Sequence, residues 1–333
     1  LVSNFGCIPG RGLINEQCVS CIPGKYSEGF SYNVCANCSI GKKSSTEGSV
    51  SCELCQLGKY SNITGSTICE SCNLGKFSDG YGNNMCKDCP AGTYLPVKGA
   101  TSAIDCIICQ DGQVSGFGAI MCTRCKAGEY KAASNDCYKC PVGRFGSNIG
   151  VNSINFCQNC PAGKYLNSSG KSSVTSCINC PLGKFNTLIG SVSIADCKLC
   201  GLGLYSNIEG ADDCLLCNDG FISTNHRMTC IECEKGKYTQ GPNPDDHILC
   251  QLCPPGKFCE TIGANSINLC LNCPKGKYSD VYGLNSSMKC VLCKPGYFSN
   301  SLGALNIDSC KGCELGKYNT RFGAQSETEC IPA

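Results

Sequence analysis

The sequence predicts a chain of small disulfide-rich repeats: short strands and turns arranged as an elongated rod, with little helix and no large hydrophobic core. Three observations lead there. Of 333 residues, 37 are cysteine, a frequency typical of disulfide scaffolds and foreign to ordinary cytosolic domains. Seventeen C-x-x-C pairs recur between Cys18 and Cys313, with steps clustered at 17 and 20 residues. No segment keeps a helical apolar period over eleven residues, the pattern an amphipathic helix requires. Length alone permits two or three globular domains. With no tryptophan and four methionines, however, the chain can bury little continuous apolar core, so cross-links must replace it.

The unit has a fixed interior. Each of the seventeen pairs is followed, three residues after its second cysteine, by a glycine, from Gly24 to Gly316. In fourteen units an aromatic stands two residues later, as at Tyr26, Tyr60, Phe77, Tyr165, Phe258 and Tyr318; Lys43, Val114 and Ile222 are the exceptions. A second glycine commonly follows, as at Gly48, Gly65, Gly82, Gly150, Gly190, Gly263 and Gly303. The repeated glycines predict positive φ or close backbone approach. The aromatic is the one large apolar side chain each unit owns, and it is expected to stack on the adjacent disulfide or the next unit, since a single repeat cannot bury it alone. The 20-residue unit is mostly the 17-residue unit with three residues added between the second glycine and the next cysteine, as GSVSC and GSVSIADC show. An addition confined to one place predicts a surface turn. The expected organisation is a lead-in over 1–17 with a Cys7–Cys18 loop, a tandem array over 18–330, and 331–333 as an end or the opening of a further unit.

Counting constrains the disulfides. If the second cysteine of each pair bonds the first of the next, the bonds are Cys7–Cys18, Cys21–Cys35, Cys38–Cys52, Cys55–Cys69 and so on, through Cys160–Cys177 and Cys253–Cys270 to Cys313–Cys330. That sequential ladder uses 36 cysteines and leaves Cys259. The rival is interlaced, Cys18–Cys35 and Cys21–Cys38, and strands Cys7 and Cys330. Counting favours the ladder; sequence alone does not settle connectivity. Loops of either length contribute about 3 kcal/mol on chain-entropy grounds, so the three extra residues shape a surface and leave stability alone. Cys259, in CPPGKFCETIG, is either an unpaired buried thiol or a bond to another chain.

Other chemistry fits poorly. Paired C-x-x-C motifs resemble tetrathiolate zinc sites, but seventeen unbroken pairs leave one over, and the two histidines, His226 and His247, lack ligand spacing. A redox C-x-x-C belongs at a helix start in an alternating strand–helix pattern, which is absent here. Nothing marks a catalytic site or a phosphate loop, so neither an enzyme nor a cofactor is expected. With 28 basic and 26 acidic residues, the charge balance demands neither nucleic acid nor an anionic membrane. No run of eighteen apolar residues occurs, and a signal or anchor is expected to have been removed or to lie outside this segment. Ten units carry lysine directly after the first glycine; this stripe reads first as a solvated face and second as a contact for acidic polysaccharide or partner carboxylates. N-x-S/T sequons at Asn62, Asn167 and Asn285, with a weaker one at Asn37, mark N-glycosylation in variable arms.

At CPAGKY, CPLGKF, CPPGKF and CPKGKY the repeat resembles growth-factor-receptor-type cysteine-rich repeats of the ephrin-receptor-like group, and one submodule of tumour-necrosis-factor-receptor ectodomains. The resemblance covers residues 18–330. It implies that the second cysteine of each pair closes a loop to the next pair, as in Cys160–Cys177. Uninterrupted arrays of this kind are similar to large extracellular or surface proteins of protists, and an extracellular or cell-surface location is expected. Two functions follow: a glycosylated structural component of an extracellular filament, appendage or coat, or a cell-surface receptor-like or adhesive binding ectodomain. Near-equivalent units favour the first, with self-association or other extracellular structural proteins as partners. The deviant units over 106–137 and 214–250 serve the second.

Overall fold

The computed structural model describes residues 6–30 and 32–333; residues 1–5 of the lead-in lie outside the described residues. The structure is regularly disulfide-bonded, made of strands and turns with almost no helix, and has no closed large core. It divides into two compact bodies, residues up to Gln158 with Ser169–Ser173, and Asn159–Ser168 with Val174–Ala333.

Within each body the same hairpin recurs. The two residues after the first glycine form one strand, and the two residues inside the next C-x-x-C form its antiparallel partner. In the first body Lys76 faces Asp88 and Phe77 faces Lys87; in the second Lys257 faces Asn272 and Phe258 faces Leu271. Strands this short have little stability of their own, and backbone bonds to the following unit supply more. Gly256 N–H donates to Ser279 O at 2.8 Å, Cys259 N–H to Leu284 O at 2.9 Å, and Gly283 N–H to Cys253 O at 2.8 Å. The first body repeats the set: Gly58 to Ser78 at 2.9 Å, Ser61 to Asn83 at 3.2 Å, and Gly82 to Cys55 at 2.7 Å.

A further contact skips a unit. Gly256 has φ +73°, and a Cβ there would stand 2.3 Å from Gly303 O, two units on. Gly163 and Gly210 meet in the same way. Glycine is needed twice over, for its left-handed backbone and for the approach of a distant carbonyl.

The three added residues are one turn of 3-10 helix. All nine such turns among the described residues, from Ala103–Asp105 to Glu327–Glu329, fall in disulfide loops with a cysteine separation of 17. A 3-10 helix takes about three residues per turn, so the insertion adds one turn and returns the chain to the same cysteine. Ser102 and Ser193 cap their turns, with Asp105 and Asp196 reaching back, the reciprocal bonding of a capping box. Two of the shorter units instead tighten into three-pair hairpins, Glu129–Lys131 with Cys137–Lys139, and Phe221–Ser223 with Cys230–Glu232. In the second of these, His226 O meets Gly183, a place where other units supply a glycine carbonyl.

The core is a series of small clusters. Phe77 packs with Cys89, Leu95, Ala100 and Cys106, and Phe258 with Cys273, Leu284 and Cys290. In these clusters the aromatic lies on the next unit's disulfide, as the repeat pattern anticipates. Tyr318 is 44% exposed.

Candidate functional site

The structure bonds the second cysteine of each pair to the first of the next. Cys7–Cys18, Cys21–Cys35, Cys38–Cys52 and Cys55–Cys69 lie in the first body; Cys160–Cys177, Cys253–Cys270 and Cys313–Cys330 lie in the second. The residues between paired cysteines are extended and hydrogen-bonded as a strand, so the two sulfurs of a pair serve different loops. Among the described residues, no group of three or more His, Cys, Asp or Glu side chains is placed to hold a metal. His247 is buried, its Nε2 2.8 Å from Gly241 O and its Nδ1 3.2 Å from Phe221 O; the ring ties the GPNPDDH arm to the preceding hairpin.

Cys259 occupies the slot directly after the aromatic. The residue after the aromatic turns inward in most units: Ser27, Ser61, Ser78, Asn186, Ser206, Thr239, Ser279, Ser299 and Asn319 are all buried there, as is Ser44 after Lys43. Cys259 is fully buried in the same slot, clustered with Cys253, Ala264 and Cys270. Its Sγ donates to Thr261 O at 3.5 Å, much as Ser279 Oγ donates to Val281 O at 3.3 Å. The thiol stands in for a hydroxyl. It shows no outward face, and this geometry favours the unpaired alternative over a bond to another chain.

The outer surface is polar and varied. Of the lysine stripe, Lys76 meets Asp88 at 2.6 Å, and Lys237 and Lys317 meet Glu234 and Glu314 at 2.9 Å. Lys257 and Lys277 donate to the carbonyls of Cys270 at 3.3 Å and Ser287 at 3.4 Å. These lysines are tied into their own units, which fits a solvated face; exposed pairs of this sort contribute only about 0.2–1 kcal/mol. Asn62 and Asn167 are exposed. Asn285 is half-buried, and the N–H of Ser287, with the hydroxyls of Ser286 and Ser287, donates to Glu260 Oε1 at 3.0 to 3.2 Å. Those bonds hold the Glu260 carboxyl below the usual carboxylate range, the Ser287 N–H foremost. Asn37 is exposed and leans on Gly65, and the cysteine inside its sequon, Cys38, is bonded to Cys52.

Two further features had signals in the sequence. Cys7-Ile-Pro-Gly10 is itself the second half of a unit: Gly10 has φ +83°, and Gly48 O approaches it as Gly65 O approaches Gly24. The identical CIPG at 21–24 announces it. Phe221 stands one place early in its unit, where other units carry lysine, and was hidden behind the exception at Ile222.

These features define a disulfide-rich repeat domain of the extracellular type, with a fold typical of non-catalytic modules. A family model described as tyrosine-protein kinase ephrin type A/B receptor-like matches residues 58–106, 150–197, 220–270 and 280–330, more than half of the chain, and the chain belongs to that family. No curated protein matches it. No helix among the described residues is long and apolar enough to cross a membrane.

Proposed function

We propose that the chain is a receptor-like or adhesive binding ectodomain that works outside the cell or at its surface. Membership of the ephrin-receptor-like repeat family carries this reading. The disulfide density fits an oxidising compartment, and exposed Asn62 and Asn167 are the sequons proposed to carry N-glycans. In this role the units form a cross-linked scaffold, and the deviant ones present distinct surface chemistry. A structural filament is the second reading. Its support is a side chain repeated just before the second glycine: Ile262, Tyr282, Leu302 and Phe322 are all exposed there, in a row suited to lateral self-association. The oxidised ectodomain, labelled and applied to cells of its source, separates the two. Saturable surface binding by a monodisperse monomer is expected. Concentration-dependent fibres without saturable binding would replace the ectodomain reading with the filament.

A further inference from the structure

Among the seventeen units, the residue after the first glycine is lysine in ten and aromatic in two, Phe221 and Tyr297. Both exchanges open onto a cleft between neighbouring hairpins of the second body. Tyr205, Asn207, Asn218, Phe221 and Thr229 line the first cleft, over the edge of Cys230, with a volume of ≈ 210 Å³. Tyr278 and Tyr297 line the second, of ≈ 150 Å³, beside Leu292 and Lys294. In each, the aromatic of one unit and the substituted aromatic of the next stand on the same groove.

We propose that the Tyr205–Phe221 cleft binds a neutral carbohydrate chain, and that the Tyr278–Tyr297 cleft is a lesser copy. This rests on the ectodomain reading and names the ligand class for it. The lining of the first cleft carries no charged side chain, so it offers nothing to a sulfated or carboxylated ligand. It offers two aromatic rings, which present apolar faces to the C–H faces of a sugar ring, two amides, which both donate and accept hydrogen bonds, as sugar hydroxyls require, and the Thr229 hydroxyl, which donates to Cys230 O at 3.3 Å and is left to accept. Asn207 and Asn218 are exposed, and among the described residues no other group engages their amides. The volume is below the ~300–1,000 Å³ of sites that enclose drug-sized ligands. An open groove of this size takes one ring of a chain at a time and leaves the rest in solvent. Lysine at position 221, the residue ten other units carry, would fill the groove with a flexible cation; the aromatic is what makes a platform of it.

The test is an NMR titration of the oxidised protein, following the side-chain amides of Asn207 and Asn218. The probes are cellohexaose, mannohexaose and N-acetylchitohexaose, with a heparin hexasaccharide as the acidic control. At least one neutral oligosaccharide is expected to shift both amides saturably below about 10 mM. Phe221→Lys and Tyr205→Ala should each weaken that binding by about tenfold or more, with Tyr297→Lys, in the other cleft, leaving it unchanged. Phe221→Lys installs the repeat's own commonest residue, and its fold is checked by an unchanged disulfide map. No shift with any neutral probe, equal binding by Phe221→Lys, or a response to heparin alone overturns the proposal. So does cell binding that Phe221→Lys abolishes but the sugars do not compete for, which assigns the cleft to a peptide. Saturable cell binding with no sugar response at this cleft removes the carbohydrate and leaves the ectodomain; loss of cell binding with sugar binding intact does the reverse.

Discussion

Gly201 and Gly203 lie in one loop and differ in what they can tolerate. Gly203 has φ +75°, and a Cβ there would stand 2.0 Å from Pro244 O and 2.7 Å from its carbonyl carbon. Gly201 has no positive φ, and its nearest neighbour would be Leu204 Cδ1 at 3.6 Å, an ordinary contact. Gly203→Ala therefore carries about 1–2 kcal/mol for the left-handed backbone and about 1–3 kcal/mol for overpacking against a carbonyl that cannot swing aside. The sum, about 2–5 kcal/mol, falls on the local stack. Gly201→Ala should be neutral or stabilise by up to about 1 kcal/mol through the unfolded chain. Amide exchange reads the difference. Cys217 N–H donates to Gly203 O at 3.0 Å, and Ser206 N–H to Arg227 O at 2.9 Å. Both amides should exchange roughly 30-fold to several thousand-fold faster in Gly203→Ala, up to the unprotected rate. The Cys293 amide, bonded to Gly276 O at 2.9 Å, should not change, because repeat contacts are local. Equal effects from Gly201→Ala and Gly203→Ala, or loosening that reaches Cys293, would refute the skipped-unit contact as the reason for the glycine.

Other outcomes follow from the same geometry. Under native, non-reducing conditions Cys259 should resist iodoacetamide and become labelled only on unfolding; a disulfide-linked dimer through Cys259 would contradict its place in the buried row. Cys259→Ser should cost under about 1.5 kcal/mol, because Ser279 makes the matching bond one unit on. Glu260 is held below the 4.5 of an ordinary glutamate by the Ser287 N–H and then the Ser286 hydroxyl. A depressed carboxylate contributes stability that is present above its unfolded value and lost as pH falls through its folded one. The Ser287 amide signal should accordingly titrate with a midpoint below 4.5, and a midpoint at or above that value would show that the bonds are not formed in solution.

The repeat, its glycines and its aromatics can be read from the sequence because each imposes a residue type at a fixed spacing. What a glycine approaches cannot be read that way: Gly163 meets Gly210 through a bare carbonyl, and a backbone partner leaves no side-chain signature. The inserted turn left a partial one, the S-x-x-D of Ser102–Asp105 and Ser193–Asp196, legible as a cap once the turn is known. A buried, unpaired Cys259 was one of two readings the sequence allowed; that serines fill the same inward slot elsewhere was not legible, because small polar residues in a Ser-rich chain read equally well as exposed. The Tyr205–Phe221 cleft needed the structure, because its walls come from different units and its key residue is displaced by one position.

The arrangement of units depends most directly on which sulfurs are joined, so non-reducing peptide mapping of the native protein is the decisive measurement. Peptides linking Cys160 to Cys177 and Cys180 to Cys197 are the predicted result. A link from Cys157 to Cys177, or from Cys160 to Cys180, would contradict it.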